Sequence, residues 1–214
     1  MNDSVEFVQL WEGGPYWADR NIGAENPWDS GYYFWWGDTV GYKWVNDEWV
    51  ASDGSNSNFS FDEYEGTILT WNEENSDLQN QGWIVDKNGD NVLTSKHDAA
   101  QKHWGGDWRM PTQQEIKDLN RKCDWTWTTM NGVNGYVVRG KGNYSSASIF
   151  LPAAGYGSGT LLYIAGEYGG YWSSVPYSHG NDSWSLGFYS GGHYTNHNSR
   201  GYGRSVRPLQ GFTK

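Results

Sequence analysis

Catalytic residue types are present in this chain, but their spacing does not assemble a reaction centre. His179, Asp182 and Ser183 supply the groups of a hydrolytic triad. No strained nucleophile turn or oxyanion loop accompanies them, so they read as surface polar residues. Asp86-Lys87-Asn88-Gly89-Asp90 resembles the start of a calcium loop. Its sixth position, however, is Asn91 where Gly is needed, and its twelfth is His97 where Glu is needed. The Asn-Gly pair favours a tight hairpin there. His193 and His197 lie four apart, a spacing that shares a metal on a helix, yet their surroundings are Gly-rich and non-helical. Cys123 is the single cysteine, which excludes an intrachain disulfide and a Cys-based zinc site. No catalytic residue, metal or cofactor is expected. The chemistry that remains is recognition.

That chemistry concentrates in residues 175–203. Of these 29 residues, 22 are Asn, Tyr, Ser, His, Asp or Gly, and none is Lys, Glu, Gln, Ala, Ile or Met. Mutating an Asn codon at its adenines can yield Tyr, His, Asp, Ser or Gly and never a stop, so this is a residue set expected if an Asn-rich template were randomised at adenines only. An ordinary turn-rich loop accounts for Gly, Asn, Asp and Ser, but not for Tyr and His. Tyr gives large contact area at low entropy cost while Ser, Gly and Asn adapt, the logic of antibody paratopes. Alternation along a strand puts Trp184, Leu186 and Phe188 on a core side and Ser185, Gly187 and Tyr189 on the outer side. The expected ligand-binding residues are Tyr177, His179, Asn181, Asp182, Ser183, Ser185 and Tyr189, together with His193, Tyr194, Asn196, His197, Asn198 and Tyr202.

A scaffold must hold these residues. The 214 residues include 15 Trp, 15 Tyr, 7 Phe and 29 Gly, with 19% charged, which excludes a disordered chain and argues against a helical bundle. Most of the Trp residues lie outside 175–203 and are expected in the core. Short strands are expected at 125–128, 135–138, 148–151, 171–174, 184–188 and 205–207. One helix is expected from about Lys96 to Trp104 with Ser95 as its cap. A second follows Pro111, where Thr112 and Glu115 form a capping box. Residues 38–80 read as a loop-rich insertion within a single domain spanning 1–214, of class α+β. Residues 1–90 carry 18 acids and 3 bases, and the later bases are scattered, so nucleic acid is not an expected partner. No membrane span is expected: the uncharged stretch 142–166 is broken by Pro152 and by many Gly and Ser. The polar, acidic start Met1-Asn2-Asp3-Ser4 does not read as a signal peptide, and none is expected in these residues.

Several segments resemble the "major paralogous domain" family of gut and rumen bacteria. They are 17–24, 104–112 (Trp-Gly-Gly-Asp-Trp-Arg-Met-Pro-Thr), 150–156 (Phe-Leu-Pro-Ala-Ala-Gly-Tyr), 171–174 and 203–208. The resemblance implies a C-type-lectin-like fold related to formylglycine-generating enzymes, with two short helices, mostly antiparallel short strands and long loops. It also implies that residues 171–207 form the ligand-facing sheet and loops. Those enzymes use a cysteine pair, which this chain lacks, so an enzyme is not expected. The calcium-dependent sugar motif of lectins is absent as well. Residues 175–203 are similar to the variable region of proteins diversified by retroelements, such as phage tropism determinants. That similarity implies a non-enzymatic binder of a protein or other macromolecular ligand on a cell surface, displayed on a virion or extracellularly. The alternative is a carbohydrate-binding or adhesin module.

Overall fold

The computed structural model describes residues 4–55, 59–61 and 74–211. Near the start, β1 (Phe7–Gln9) pairs with β2 (Tyr16–Ala18), and β3 (Tyr42–Val45) turns back into β4 (Glu48–Ala51). After α1 (Asn75–Asn80), β5 (Ile84–Lys87) and β6 (Asp90–Leu93) form the hairpin expected at Asn88-Gly89. Both turn residues have positive φ, 57° and 92°, as a two-residue turn of that twist requires. Next come α2 (Ala99–Trp104) and α3 (Gln113–Lys122), then an antiparallel meander of β7 (Asp124–Met130), β8 (Val133–Arg139) and β9 (Ser148–Pro152). The small hairpin β10 (Tyr156–Ser158)–β11 (Leu161–Tyr163) leads to a second meander, β12 (Tyr168–Pro176), β13 (Asp182–Tyr189) and β14 (Gly192–Ser199). Finally β15 (Leu209–Gln210) pairs with β2, so the first and last strands share one sheet.

This architecture corrects the expected α+β, C-type-lectin-like class. Mostly antiparallel strands make up 42% of the structure, in six small sheets, against about 13% helix. Among the described residues three helices occur rather than two, and only one of them reaches seven residues. The physical reason is that the helix signals in this sequence are local stops and starts rather than long apolar stripes. In α2 the cap is Asp98, not Ser95, because its carboxylate accepts from the Gln101 N–H at 3.0 Å and the Met110 N–H at 2.9 Å. Gly105, at φ 66°, ends that helix after six residues. In α3 the expected capping box of Thr112 and Glu115 is present. Glu115 also holds Arg109 through two bonds of 2.9 and 2.6 Å, tying the helix start to the preceding chain. Within 38–80, β3, β4 and α1 are regular elements. Part of that segment lies outside the described residues.

Rings fill the core in three clusters. Leu10, Trp17, Ile116, Leu119, Leu151 and Phe188 belong to the one under α3. Trp36, Trp83, Met110 and Trp172 belong to a second, and Trp35, Trp49 and Phe61 to a third. Residues 33–36 thread between the last two: Phe34 and Trp36 point into one while Tyr33 and Trp35 point into the other. Such a segment is buried on both sides, as a run of rings requires.

The segment 200–209 binds these pieces together. Its backbone bonds to Trp36, Phe34, Trp172, Gly157, Ile22, Ala18 and Arg109. Arg207, 1% exposed, donates to Asn21 Oδ1 at 2.9 Å, the Ala18 carbonyl at 3.2 Å and the Phe150 carbonyl at 2.8 Å. Burial pulls its pKa down to about 10, which still leaves it charged at neutral pH. Arg207→Met strands three buried acceptors, so urea unfolding is expected to show a loss of about 3 kcal/mol or more. Thr112→Ala removes only one cap bond and should cost about 1 kcal/mol.

Candidate ligand-binding face

Strand register decides which side chains can meet a ligand. β13 is the middle strand of the sheet β12-β13-β14. Its pairing with β14 runs from Asp182↔Ser199 to Tyr189↔Gly192 with no register shift. Alternate residues point to opposite sides, so the pairing sorts the expected site residues into two groups. Trp184, Leu186 and Phe188 share a side with His197, Thr195 and His193. Ser183, Ser185, Gly187 and Tyr189 share the other with Asn198, Asn196 and Tyr194.

The first side faces α3 and the β7–β9 sheet. Phe188 and Leu186 are core residues, 0% and 2% exposed. His193 stacks on Trp125 at 4.1 Å, and its Nδ1 lies 2.8 Å from Asn120 Oδ1; Asn120 also donates to Thr195 Oγ1. Trp184 is not the core anchor expected: it is half-buried at the sheet end, against the Tyr177 ring at 5.2 Å and beneath Lys117. His197 stacks on Tyr177 at 3.9 Å and its Nδ1 meets Asp182 Oδ2 at 2.6 Å. The structure thus brings Tyr177, Asp182 and His197 together, but away from Tyr189 and Tyr194. His179 is exposed in the β12–β13 loop, and the half-buried Asn181 accepts the Arg200 N–H through its carbonyl.

On the second side, Ser183 and Ser185 are completely buried, which corrects their expected outward exposure. The returning chain covers them: Arg200 Nε donates to Ser183 Oγ at 3.1 Å, and Ser185 Oγ donates to Asn198 Oδ1 at 2.8 Å. What remains accessible is tyrosine. Tyr189 is 50% exposed, and Tyr194 and Tyr202 are half-buried beside an exposed Asn196. Three tyrosines outside 175–203 complete the face. Tyr168 pairs with Tyr189 across β12–β13, Tyr156 packs edge-on to Tyr202 at 5.3 Å, and Tyr163 stacks on Tyr156.

A glycine floor makes this arrangement possible. Gly170 and Gly187 are register partners, and Gly187 in turn pairs with Tyr194. A Cβ on Gly187 would lie 2.6 Å from the Tyr194 ring, and one on Gly170 would lie 2.3 Å from Arg204 Nη1. Tyr194 lies over this floor, and burial together with Tyr168 pushes its pKa up to about 12, so its hydroxyl stays protonated at any physiological pH. Tyr156, Tyr163, Tyr168 and Arg204 were not among the expected site residues. Their proximity comes from cross-strand pairing between distant segments, which leaves no local signal.

A cleft of about 470 Å³ lies apart from the expected site residues, lined by Glu25, Asp29, Lys43, Trp44 and Leu162 among others. Among the described residues no cluster of three His, Cys, Asp or Glu side chains could hold a metal ion. No helix among them is long and apolar enough to cross a membrane.

Residues 112–209, which run from the α3 cap to the first residue of β15, match the model of a family described as "Domain of unknown function (DUF8237)". No curated protein and no solved structure matches the chain.

His193 carries a pH consequence. Its neighbours Trp125, Tyr136 and Asn120 are uncharged, and burial holds its pKa below the ordinary 6.5. The unfolded chain therefore takes up the proton first. Stability present above pH 6.5 is lost as pH falls through the folded-state value. In urea midpoints taken between about pH 8 and pH 5, wild type is expected to fall more steeply than His193→Gln. His97, also lowered by burial, adds a decline common to both. Identical slopes would exclude the effect.

Proposed function

We propose that this chain is a non-enzymatic recognition protein that holds a protein or other macromolecular ligand of a cell surface across its tyrosine face. The observation that supports it most is the register of β12, β13 and β14. That register gathers Tyr168, Tyr189 and Tyr194 over paired glycines and beside Tyr156, Tyr163 and Tyr202. Rigid rings on a strand lattice offer contact area without ordering cost, and their hydroxyls supply hydrogen bonds. The reading keeps the division implied by the resemblance to retroelement-diversified proteins. Leu186 and Phe188 belong to the interior, whereas Tyr189, Tyr194, Asn196 and Tyr202 are outward residues from the adenine-mutation set. It narrows the site, because Ser183 and Ser185 are enclosed and His193 packs on α3. Display in several copies on a virion or a cell exterior would raise modest single-site affinity through avidity.

Partners recovered from a surface-displayed protein library are the test. Tyr189→Ala and Tyr194→Ala are each expected to weaken binding by about 2 kcal/mol, some 30-fold, with the fold retained by circular dichroism. Unchanged affinity in both variants would overturn the reading, and saccharide binding that survives them on a glycan array would favour the carbohydrate module. An adenine-differing repeat of the 175–203 coding region beside a reverse transcriptase gene is expected. Its absence would remove diversification from the account.

A further inference from the structure

The sheet β12-β13-β14 has one closed edge and one open edge. On the β12 side, neighbouring segments take the main-chain groups. Trp172 N–H donates to the Ser205 carbonyl at 3.0 Å, Ser205 N–H to the Gly170 carbonyl at 3.1 Å, and Ser174 N–H to the Pro111 carbonyl at 2.8 Å. β14 is the outer strand on the other side, and it borders the tyrosine face. Arg200 N–H donates to the Asn181 carbonyl at 2.8 Å, and these two continue the register Asp182↔Ser199 as a hydrogen-bonded pair. Such pairs alternate, so Asn198, Asn196 and Tyr194 bond inward to β13, while His193, Thr195 and His197 turn their N–H and C=O groups outward. The His197 N–H is taken by Asn196 Oδ1 at 2.9 Å, which ends the open stretch. The N–H and C=O groups of His193 and Thr195 have no hydrogen-bond partner among the described residues. α3 packs on one face of the strand, where Asn120 bonds the side chains of these two residues. Every residue of β14 is at least partly exposed.

Outer strands are normally blunted by Lys, Pro, an inward charge or a bulge. β14 reads Gly-His-Tyr-Thr-Asn-His-Asn-Ser, with no Lys, Arg, Asp, Glu or Pro, and it pairs with β13 without a register shift. Paired N–H and C=O groups repeating about every 7 Å along a straight edge match another extended main chain. That repeat belongs to a polypeptide and not to a saccharide chain. We infer that the macromolecular ligand is a polypeptide, an extended segment of which adds to β14 as a fourth strand opposite His193 and Thr195. Its alternate side chains then lie beside Tyr194 and Asn196 on the tyrosine face. This rests on that face being the binding surface and adds the form of ligand it reads. Main-chain bonds hold any extended sequence, whereas Tyr194 and Asn196 select among sequences. A second copy of the chain suits the edge less well, because a net charge of −10 makes two copies repel.

The probe is a linear peptide of about ten residues, selected against the full chain from a random phage-displayed library and then synthesised. Each of its backbone nitrogens is methylated in turn, which removes one N–H and changes no side chain. Binding is expected to weaken about 10-fold at every second nitrogen of the paired stretch and to change little at those between. Hydrogen exchange at the His193 and Thr195 amides of the full chain should slow about 10-fold when the peptide is bound. Thr195→Pro should abolish binding, since an outer strand tolerates proline where the N–H faces away from the sheet. If that variant does not fold, the methylation pattern and the amide exchange decide alone. No selected peptide, no two-residue period, or unchanged exchange at both amides would each overturn the inference. So would a wild-type dimer in sedimentation that Thr195→Pro disperses, because the edge would then belong to a second copy. Tyr189→Ala and Tyr194→Ala report separately on the face. Peptide binding lost in them without the two-residue period leaves the face standing and removes only the added strand.

Discussion

A completely buried guanidinium, Arg207, ties the fold together. Its partners come from β2, the Asn21 turn and β9, and Asn21 in turn bonds the Ser30 carbonyl and lies 3.3 Å from the Tyr171 hydroxyl. Tyr171 donates onward to the Pro152 carbonyl at 2.7 Å. A charge in that position is tolerable only while every acceptor stays in place. The network therefore fixes segments separated by most of the chain length in one arrangement. Loop-rich chains with short strands need such a device, because each small sheet buries too little to be stable alone.

The same returning segment then builds the recognition face. Three residues before Arg207, Arg204 bridges Phe34 and lies under the tyrosines; four earlier still, Arg200 caps Ser183 and stacks on Trp36 at 4.9 Å. Scaffold and site are therefore not separate layers. The outward tyrosines of β13 and β14 rest on side chains whose positions are set by the buried arginines. Substitution at the outer tips can vary contact without touching that framework, whereas a change at Gly170, Gly187 or Arg204 would rearrange it.

Much of the local structure was legible in the residues. The Asn88-Gly89 hairpin, the Thr112–Glu115 cap and the alternation that buries Leu186 and Phe188 each follow from short-range rules. The class was not, because two capping signals near each other suggest a helical layer while saying nothing about how short the helices are. Nor was the full face. Ser185 and Tyr189 look equivalent along one strand, yet the returning chain and Asn198 enclose the first and leave the second in water. His193 and Tyr194 are adjacent and polar, and one extra residue of register sends them to opposite sides. Tyr156, Tyr163 and Tyr168 join through pairings that only the folded chain defines.

The central claim is that ligand contact falls on the tyrosine side of the β12–β14 sheet and not on the side of Tyr177, His193 and His197. Hydroxyl-radical footprinting of the chain with and without a bound partner measures this directly, because rings on both sides are reactive. The account predicts protection of Tyr163, Tyr189, Tyr194 and Tyr202 with unchanged labelling of Tyr177 and His197. Protection confined to Tyr177 and His197, with the tyrosine face still fully labelled, would contradict it.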